Sequence, residues 1–251
     1  MKKTDLIFIL DSSGSMSPLK TDTIGGFNSL LEEHRAAETP TAVTLVTFDS
    51  TTRIIYDGAD ILEAPLLTEE TYRPGGFTAL LDAVGETIDR VQHRIDSTPQ
   101  EERPDQTLCV IITDGQENHS TKYKKDQVKQ MIQHQEAGHG WKFIFLGANM
   151  DAVAEANSYG ISTSATYAAN EIGTRAVYET LSFASKGYVA DGCISADWDA
   201  SLKNATKEEA NSVWDINGVE VNDAAYANTC IQDDLSADGA VGYAFGDASD
   251  L

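Results

Sequence analysis

Positive charge is scarce in this sequence, in which 18 Lys and Arg stand against 40 Asp and Glu and give a formal net charge of -22. Binding to nucleic acids and to anionic membranes depends on Lys and Arg, so this balance argues against either kind of partner. The excess of acid is uneven, because residues 191–251 carry 13 acidic and two basic side chains. We therefore expect a domain over residues 1–188 and an acidic C-terminal extension over residues 189–251 that docks on it.

Cysteines and long apolar runs are few as well. Of the three cysteines, Cys109 lies in an apolar run where a small buried side chain is expected, and a bridge between Cys193 and Cys230 is left open. The apolar run at residues 6–10 is too short for a signal peptide or a membrane span, and it leads at once into Asp11. The sequence therefore predicts a cytoplasmic protein.

Short apolar runs alternate with helical patterns along most of the chain. Runs rich in branched and aromatic residues predict strands at residues 6–10, 42–48, 108–112 and 141–146, and a turn at 49–52 predicts a hairpin strand at 53–56. Apolar residues at helical spacing predict five helices. Their apolar stripes include Phe27 and Leu31, Val84 and Ile88, Val128 and Ile132, Val153 and Ala156, and Leu181 and Phe183.

This order of elements predicts a Rossmann-like α/β fold. A strand that is followed by a helix and then by another strand forms a parallel pair in a doubly wound sheet. We therefore expect a mostly parallel sheet with helices on both faces, to which the hairpin adds one antiparallel edge strand.

Side chains that carry oxygen follow two of the predicted strands. Asp11, Ser13 and Ser15 form the pattern D-x-S-x-S directly after the first strand, and Asp114 follows the strand at 108–112. Thr78 opens a predicted helix after two glycines, which allow the backbone to turn tightly. Ligands of open α/β sheets bind beyond the carboxyl ends of the strands, so we expect the three loops to offer oxygens to one hard divalent cation.

These five residues resemble the metal-ion-dependent adhesion site of the von Willebrand factor type A domain, which combines D-x-S-x-S with a Thr on a second loop and an Asp on a third. The resemblance covers about residues 3–185, and it is to cytoplasmic type A proteins of bacteria and their phages. It implies that Ser13, Ser15 and Thr78 contact Mg2+ directly, with Mn2+ or Ca2+ as alternatives. Asp11 and Asp114 would act through water or by orienting the hydroxyls.

The resemblance also implies a function. In adhesive members of the family, a carboxylate from a partner completes the coordination of the ion. We therefore expect a divalent-metal-dependent protein-binding module whose partner carries an exposed Asp or Glu. The alternative is a subunit or adaptor of an intracellular ATPase-linked or stress-response complex.

Catalysis is the less favoured interpretation. An Asp after the first strand also opens the motif of haloacid dehalogenase-like phosphatases, in which Asp11 would be the nucleophile of a metal-dependent reaction. Ser13 stands where that motif has a second Asp, so the acid/base is missing. No G-x-S-x-G surrounds Ser13 or Ser15, and no phosphate-binding glycine motif follows a strand. We therefore expect that the protein is not an enzyme.

The polar residues that follow Asp114 are expected to form the rim of the site. They are Gln116, Glu117, Asn118 and His119, of which His119 is the candidate for a ligand contact. Asp82, one turn after Thr78, is expected to be a capping or solvated carboxylate. The remaining histidines lie on helical patterns, so a face or core position is expected for His34, His93, His134 and His139.

The acidic extension contains two weaker patterns. Asp197, Asp199, Ser201 and Glu208 have the spacing of a calcium loop, but Leu202 replaces its glycine and favours a helix cap followed by solvated charge. Apolar residues around the turn dipeptide at 217–218 then predict a small strand or hairpin; they are Trp214, Ile216, Val219 and Val221.

Overall fold

A six-stranded sheet forms the centre of the protein in the computed structural model, which describes residues 2–37, 39–148 and 151–215, the last eight of these by their backbone alone. The strands are β1 (Thr4–Asp11), β2 (Thr41–Phe48), β3 (Thr52–Asp60), β4 (Gln106–Thr113), β5 (Lys142–Ala148) and β6 (Ser164–Tyr167). Their order across the sheet is β3-β2-β1-β4-β5-β6. The pair β2–β3 is antiparallel and the other neighbours are parallel, which confirms the predicted mixed sheet.

Six α-helices surround this sheet in the described part of the chain. They are α1 (Lys20–Ala36), α2 (Leu80–Ser97), α3 (Lys125–His139), α4 (Ala152–Tyr159), α5 (Glu171–Asp191) and α6 (Ala200–Asp215). Two short 3-10 helices precede α1 and β4, at Gly14–Leu19 and Gln100–Glu102. The five predicted helices are all present, and α6 lies in the predicted extension.

The sheet is covered on both faces. Leu6, Phe8 and Leu10 of β1 pack in one apolar cluster with α1, α5 and α6, whereas Ile7 and Ile9 pack in a second cluster with α2, α3 and α4. Successive side chains of a strand point to opposite faces, so a parallel strand between two helical layers must be apolar throughout. The uninterrupted apolar run of β1 therefore places it in the middle of the sheet.

Two of the predicted apolar helix positions are wrong. Phe183 in α5 is 54% exposed and Val153 in α4 is 51% exposed. Leu181 is buried on α5, and a residue two positions further along a helix lies on roughly the opposite face. Leu181 and Phe183 therefore cannot both face the sheet. The edge strand β6 was also missed, because four residues are too few to show a clear alternating pattern.

The start of the predicted extension packs against the core. Trp198 and Leu202 are buried in the cluster that contains α1 and α5. The helix α6 begins at Ala200, as the helix-cap interpretation predicts, and Asp199 forms an ion pair with Lys203 at 2.9 Å. Trp214 lies within α6, so its assignment to a strand is wrong because the helix runs on to Asp215.

Part of that extension lies outside the described residues. This part includes the turn at 217–218 and its apolar neighbours Ile216, Val219 and Val221, so the rest of the hairpin stays a prediction. The division of the chain near residue 189 stays a prediction as well. Cys230 lies there too, and Cys193 is an exposed thiol. Cys109 is fully buried as expected, and no described helix has the length and apolar character needed to cross a membrane.

Candidate metal centre

The three predicted loops meet at the carboxyl ends of β1 and β4, which are parallel neighbours. The hydroxyl oxygens of Ser13 and Ser15 lie 3.1 Å apart, and Ser15 Oγ donates to Asp114 Oδ1 at 2.7 Å. The Thr78 hydroxyl lies against the residue after Asp114, because a β-carbon on Gly115 would be 3.0 Å from Thr78 Oγ1. The hydroxyls of the first loop and the carboxylate of the third are therefore in contact, and the Thr78 hydroxyl of the second loop lies beside the residue that follows Asp114.

Asp11 is fully buried and connects the first loop to β4. Its Oδ1 accepts from the backbone N–H of Ser13 at 2.6 Å, and its Oδ2 accepts from the hydroxyl of Thr113 at 2.6 Å. Burial raises the pKa of the Asp11 carboxyl to about 6, although both hydrogen bonds act to lower it. Both carboxylate oxygens therefore stabilise the loop, and neither is free at the surface.

The two acidic side chains of the site, Asp11 and Asp114, have no cationic partner in the part of the chain that the structure describes. Burial raises the pKa of Asp114 as well as that of Asp11, and the hydrogen bond from Ser15 opposes the rise at Asp114. Across the described residues, no Lys, Arg or His forms an ion pair with either carboxylate. A buried carboxylate without a positive partner is costly, so an added cation would be stabilised here.

Backbone hydrogen bonds hold the first and second loops together. Gly75 N donates to Ser12 O at 2.9 Å, and Gly14 N donates to Gly76 O at 3.2 Å. Gly76 has a φ of 73°, and a β-carbon there would lie 2.8 Å from Ser50 Oγ. A larger residue would be strained in this backbone conformation and would also displace Ser50. The second glycine before Thr78 is therefore needed for the close approach of the loops.

Two of the predicted rim residues hold the loops rather than present free side chains. Asn118 pairs with Thr78 in both directions, since Thr78 N donates to Asn118 Oδ1 at 3.0 Å and Asn118 N donates to Thr78 O at 3.0 Å. Glu117 accepts from the backbone N–H of Leu81 at 2.9 Å, at the start of α2, and from that of Ser120 at 2.7 Å. The third loop thus fixes the position of Thr78.

The other two rim residues are exposed. Gln116 faces solvent, and the ring of His119 stacks on that of Phe77 with centroids 5.0 Å apart and planes 20° apart. Asp82 is buried and accepts from the backbone N–H groups of residues 121, 122 and 123, so it caps the third loop. The capping role expected for Asp82 is consistent with these contacts.

The sequence patterns did not reveal every residue that shapes the site. Thr113 orients Asp11, and the hydroxyl of Tyr72 donates to the Asp11 carbonyl oxygen at 2.6 Å. Thr113 could have been found as the last residue of β4, directly before Asp114. Tyr72 lies in a long loop 61 positions from Asp11, and no local pattern connects the two.

The donor set fits a hard divalent cation. The described residues contain no group of three or more His, Cys, Asp or Glu side chains that could hold a metal ion. The oxygens gathered here come instead from the hydroxyls of Ser13, Ser15 and Thr78, with Asp114 beside them. Oxygen donors suit Mg2+, Mn2+ and Ca2+, whereas zinc sites are built mainly on nitrogen and sulfur.

Comparisons with known proteins agree with this fold. A family model described as the von Willebrand factor type A domain matches residues 5–180. A mutant of the PilB minor pilin from Streptococcus sanguinis has a TM-score of 0.55 at 13% identity, over 80% of this chain and 64% of the pilin chain. The vWF domain of the type V pili tip protein Mfa5 from Porphyromonas gingivalis has a TM-score of 0.54 at 9% identity, over 77% of this chain and 98% of that domain.

A von Willebrand factor type A protein from Catenulispora acidiphila is similar at a TM-score of 0.50 and 14% identity, over 74% of this chain and 43% of that one. At such identities the likeness shows the fold alone. The chain spans less than two thirds of the pilin and less than half of the Catenulispora protein. None of the curated proteins compared with this chain matches it.

Proposed function

We propose a divalent-metal-dependent protein-binding function for this chain, which belongs to the von Willebrand factor type A family. Domains of this family are known for metal-dependent protein interactions, and they are typically interaction modules without enzymatic activity. The partner is a protein that presents an exposed Asp or Glu. The cation is Mg2+, with Mn2+ and Ca2+ as alternatives.

One observation carries this proposal. Asp11 is completely buried and accepts hydrogen bonds only from neutral donors among the described residues, within an edge that also gathers Ser13, Ser15, Thr78 and Asp114. A fold that buries a carboxylate without an internal cation is destabilised unless a cation binds beside it. The neutral hydroxyls nearby are ligands that a hard cation accepts.

Each residue has a distinct role in the proposed site. Ser13, Ser15 and Thr78 would hold the cation through their hydroxyl oxygens. Asp11 would keep the first loop in place through Ser13 N, and Asp114 would orient Ser15 through the 2.7 Å hydrogen bond. When bound by few charged ligands, the cation supplies an electrophilic position that accepts a carboxylate from outside.

The net charge of -22 does not prevent recognition of an acidic residue. At about 0.15 M salt the screening length is about 8 Å, so the cation dominates the interaction at contact distance. Distant acidic residues of this chain would slow the approach of an acidic partner. We therefore favour a partner whose ligand carboxylate is not part of an acidic run.

Two further proposals concern the setting of this function. The protein acts in the cytoplasm, where it is either a binding module by itself or a subunit or adaptor of an ATPase-linked or stress-response complex. The two settings differ in the partner and share the chemistry of the site. A phosphatase with Asp11 as nucleophile is disfavoured, because both oxygens of this buried carboxylate already accept hydrogen bonds.

The test is capture of partner proteins from lysate in Mg2+ and in chelator, combined with calorimetric titration of Mg2+. Ser13→Ala and Asp114→Asn should abolish both Mg2+ binding and the Mg2+-dependent partners. Ser17→Ala and Asp126→Asn are matched controls, because both residues are exposed and lie just after the loops that carry Ser13 and Asp114. Partners that stay bound in chelator and with both site variants would refute the proposal, as would a wild-type protein that binds no Mg2+.

A further inference from the structure

An exposed aromatic pair, Phe77 and His119, adjoins the candidate metal centre. Phe77 is 61% exposed, which makes it the most exposed of the large hydrophobic side chains in the described part of the chain. Its ring stacks on that of His119 with centroids 5.0 Å apart. Phe77 directly precedes Thr78, and His119 follows Asp114 on the third loop. The aromatic pair therefore joins the two loops that complete the site.

Hydrogen bonds fix the backbone on which each ring is mounted. Phe77 N donates to Ser50 Oγ at 3.0 Å, and the next residue is held by Asn118. His119 N donates to Glu117 Oε1 at 2.9 Å. A rigid aromatic surface loses little conformational freedom when a partner covers it, and such surfaces supply a large share of binding energy at protein interfaces.

The charged rim residue nearest to His119 along the third loop is Glu117. Glu117, between Asp114 and His119, accepts hydrogen bonds from backbone N–H groups. The surface that Phe77 and His119 expose beside the candidate metal centre is apolar and aromatic.

We propose that the aromatic pair of Phe77 and His119 receives a large apolar side chain that adjoins, in the partner's sequence, the Asp or Glu bound at the metal centre. This inference rests on the proposed function and specifies its partner: a protein segment in which a carboxylate and an aliphatic or aromatic side chain are neighbours. The carboxylate would supply the dependence on metal. The apolar neighbour would supply selectivity among the many exposed acidic residues of other proteins.

The test uses a displayed library of nine-residue peptides with a fixed central Glu and randomised flanks, selected on the full chain in Mg2+. Peptides with Leu, Ile, Met, Phe or Trp beside the Glu should be enriched on the wild type. The best of them should lose at least about tenfold in affinity on Phe77→Ser, and a smaller factor on His119→Ala. Mg2+ affinity should stay unchanged in both variants, because neither side chain belongs to the proposed ligand set.

Phe183→Ser is the matched control, because Phe183 is 54% exposed on α5 and takes no part in the three loops. It should leave peptide binding unchanged. The inference is overturned if basic or random residues flank the Glu, or if Phe77→Ser selects the same peptides with the same affinity. A wild-type protein that selects no peptide in a Mg2+-dependent manner would instead contradict the proposed function, and the inference with it.

Discussion

The two ends of β1 each bury an aspartate completely, but they balance its charge differently. Near the amino end, Asp5 accepts from the guanidinium of Arg94 at 2.7 Å. At the carboxyl end, the donors to Asp11 in the described structure are the neutral N–H of Ser13 and the hydroxyl of Thr113. Burial raises the pKa of both carboxyls, and at Asp5 the charge of Arg94 opposes that rise.

This difference in charge balance assigns the amino end of β1 to stability and the carboxyl end to the proposed function. Arg94 also binds Asp57 at 2.8 Å, so one side chain of α2 connects β1 and β3. Gly58 makes room for it, since a β-carbon there would lie 2.7 Å from Arg94 Nη1. The charge of Asp5 is therefore balanced by a side chain of the protein itself. At the carboxyl end, no cationic side chain of the described residues pairs with Asp11, and an outside cation would neutralise its charge.

Of the predicted changes in stability, the largest should follow from replacement of Arg94 at the amino end of β1. Arg94→Met leaves Asp5 buried without its cation, so the free energy of unfolding should fall by about 3–5 kcal/mol. Chemical denaturation measures this change. Arg90→Met is the matched control, because Arg90 is half exposed and contacts Asp57 at 3.5 Å; it should cost less than about 1 kcal/mol. Equal losses in the two variants would show that the Arg94–Asp5 pair does not stabilise the fold.

His34 shows a third way to bury an ionisable group, which is to keep it neutral. His34 belongs to α1 and is buried against α5. Its Nε2 is 2.7 Å from the hydroxyl of Ser185, which itself donates to Leu181 O. Burial lowers the pKa of His34 to about 4. The unfolded chain therefore binds this proton more readily than the folded protein. The stability that neutral His34 contributes is complete above pH 6.5 and is lost as the pH falls to about 4.

The size of this loss should be about 3 kcal/mol. Chemical denaturation between pH 7 and pH 4 measures it, with His34→Gln as the comparison because glutamine does not titrate. Other carboxyls contribute to the pH dependence as well. The lowered pKa of Glu33, due first to Lys186, adds to the loss, while the raised pKa values of Asp5, Asp11, Asp114 and Glu136, due first to burial, oppose it. The difference between wild type and variant isolates His34. Parallel pH profiles would contradict the prediction.

Asp11→Asn should have the smallest effect on the metal-free protein, less than about 1 kcal/mol at pH 7, because removal of an unbalanced buried charge offsets the weaker hydrogen bonds. In Mg2+ at about 100 times its Kd, wild type should gain about 2.7 kcal/mol and Asp11→Asn nothing. Thermal unfolding with and without Mg2+ measures both quantities. Asp5→Asn is the control: it should lower the stability of the metal-free protein more than Asp11→Asn does, and Mg2+ should still stabilise it. If both variants lose the same stability and respond to Mg2+ in the same way, the two ends of β1 do not differ as proposed.

Much of the fold was predictable because its signals are local. Apolar runs and helical spacing gave the central strands and five helices, and the turn after Phe48 gave the antiparallel hairpin. The failures have the same origin. The four residues of β6 are too few to show a period, and Phe183 was assigned to the buried stripe of α5 although Leu181 already occupies it. A helix does not reveal from its own sequence which of two apolar residues faces the sheet.

The sequence indicated which loops come together at the candidate site, and it missed several contacts that hold them. The ligand set itself stays a prediction. Ser13, Ser15 and Asp114 are drawn together because parallel strands end at one edge, which the order of elements already implies. The pairing of Asn118 with Thr78 and the stacking of His119 on Phe77 join loops some 40 residues apart in sequence. Patterns of residue spacing within a helix, strand or turn do not connect residues so far apart, so these contacts could not be predicted.

The sequence by itself determined five of the six described strands, five of the helices that cover the sheet and the D-x-S-x-S loop, because each depends on the side chains of a few neighbouring residues. The tertiary structure decided which buried charge is balanced. Arg94 reaches Asp5 across 89 positions of the chain, whereas no described cationic side chain reaches Asp11. The strength of a buried charge pair depends on distance and on exclusion of water, and only the packed chain fixes both.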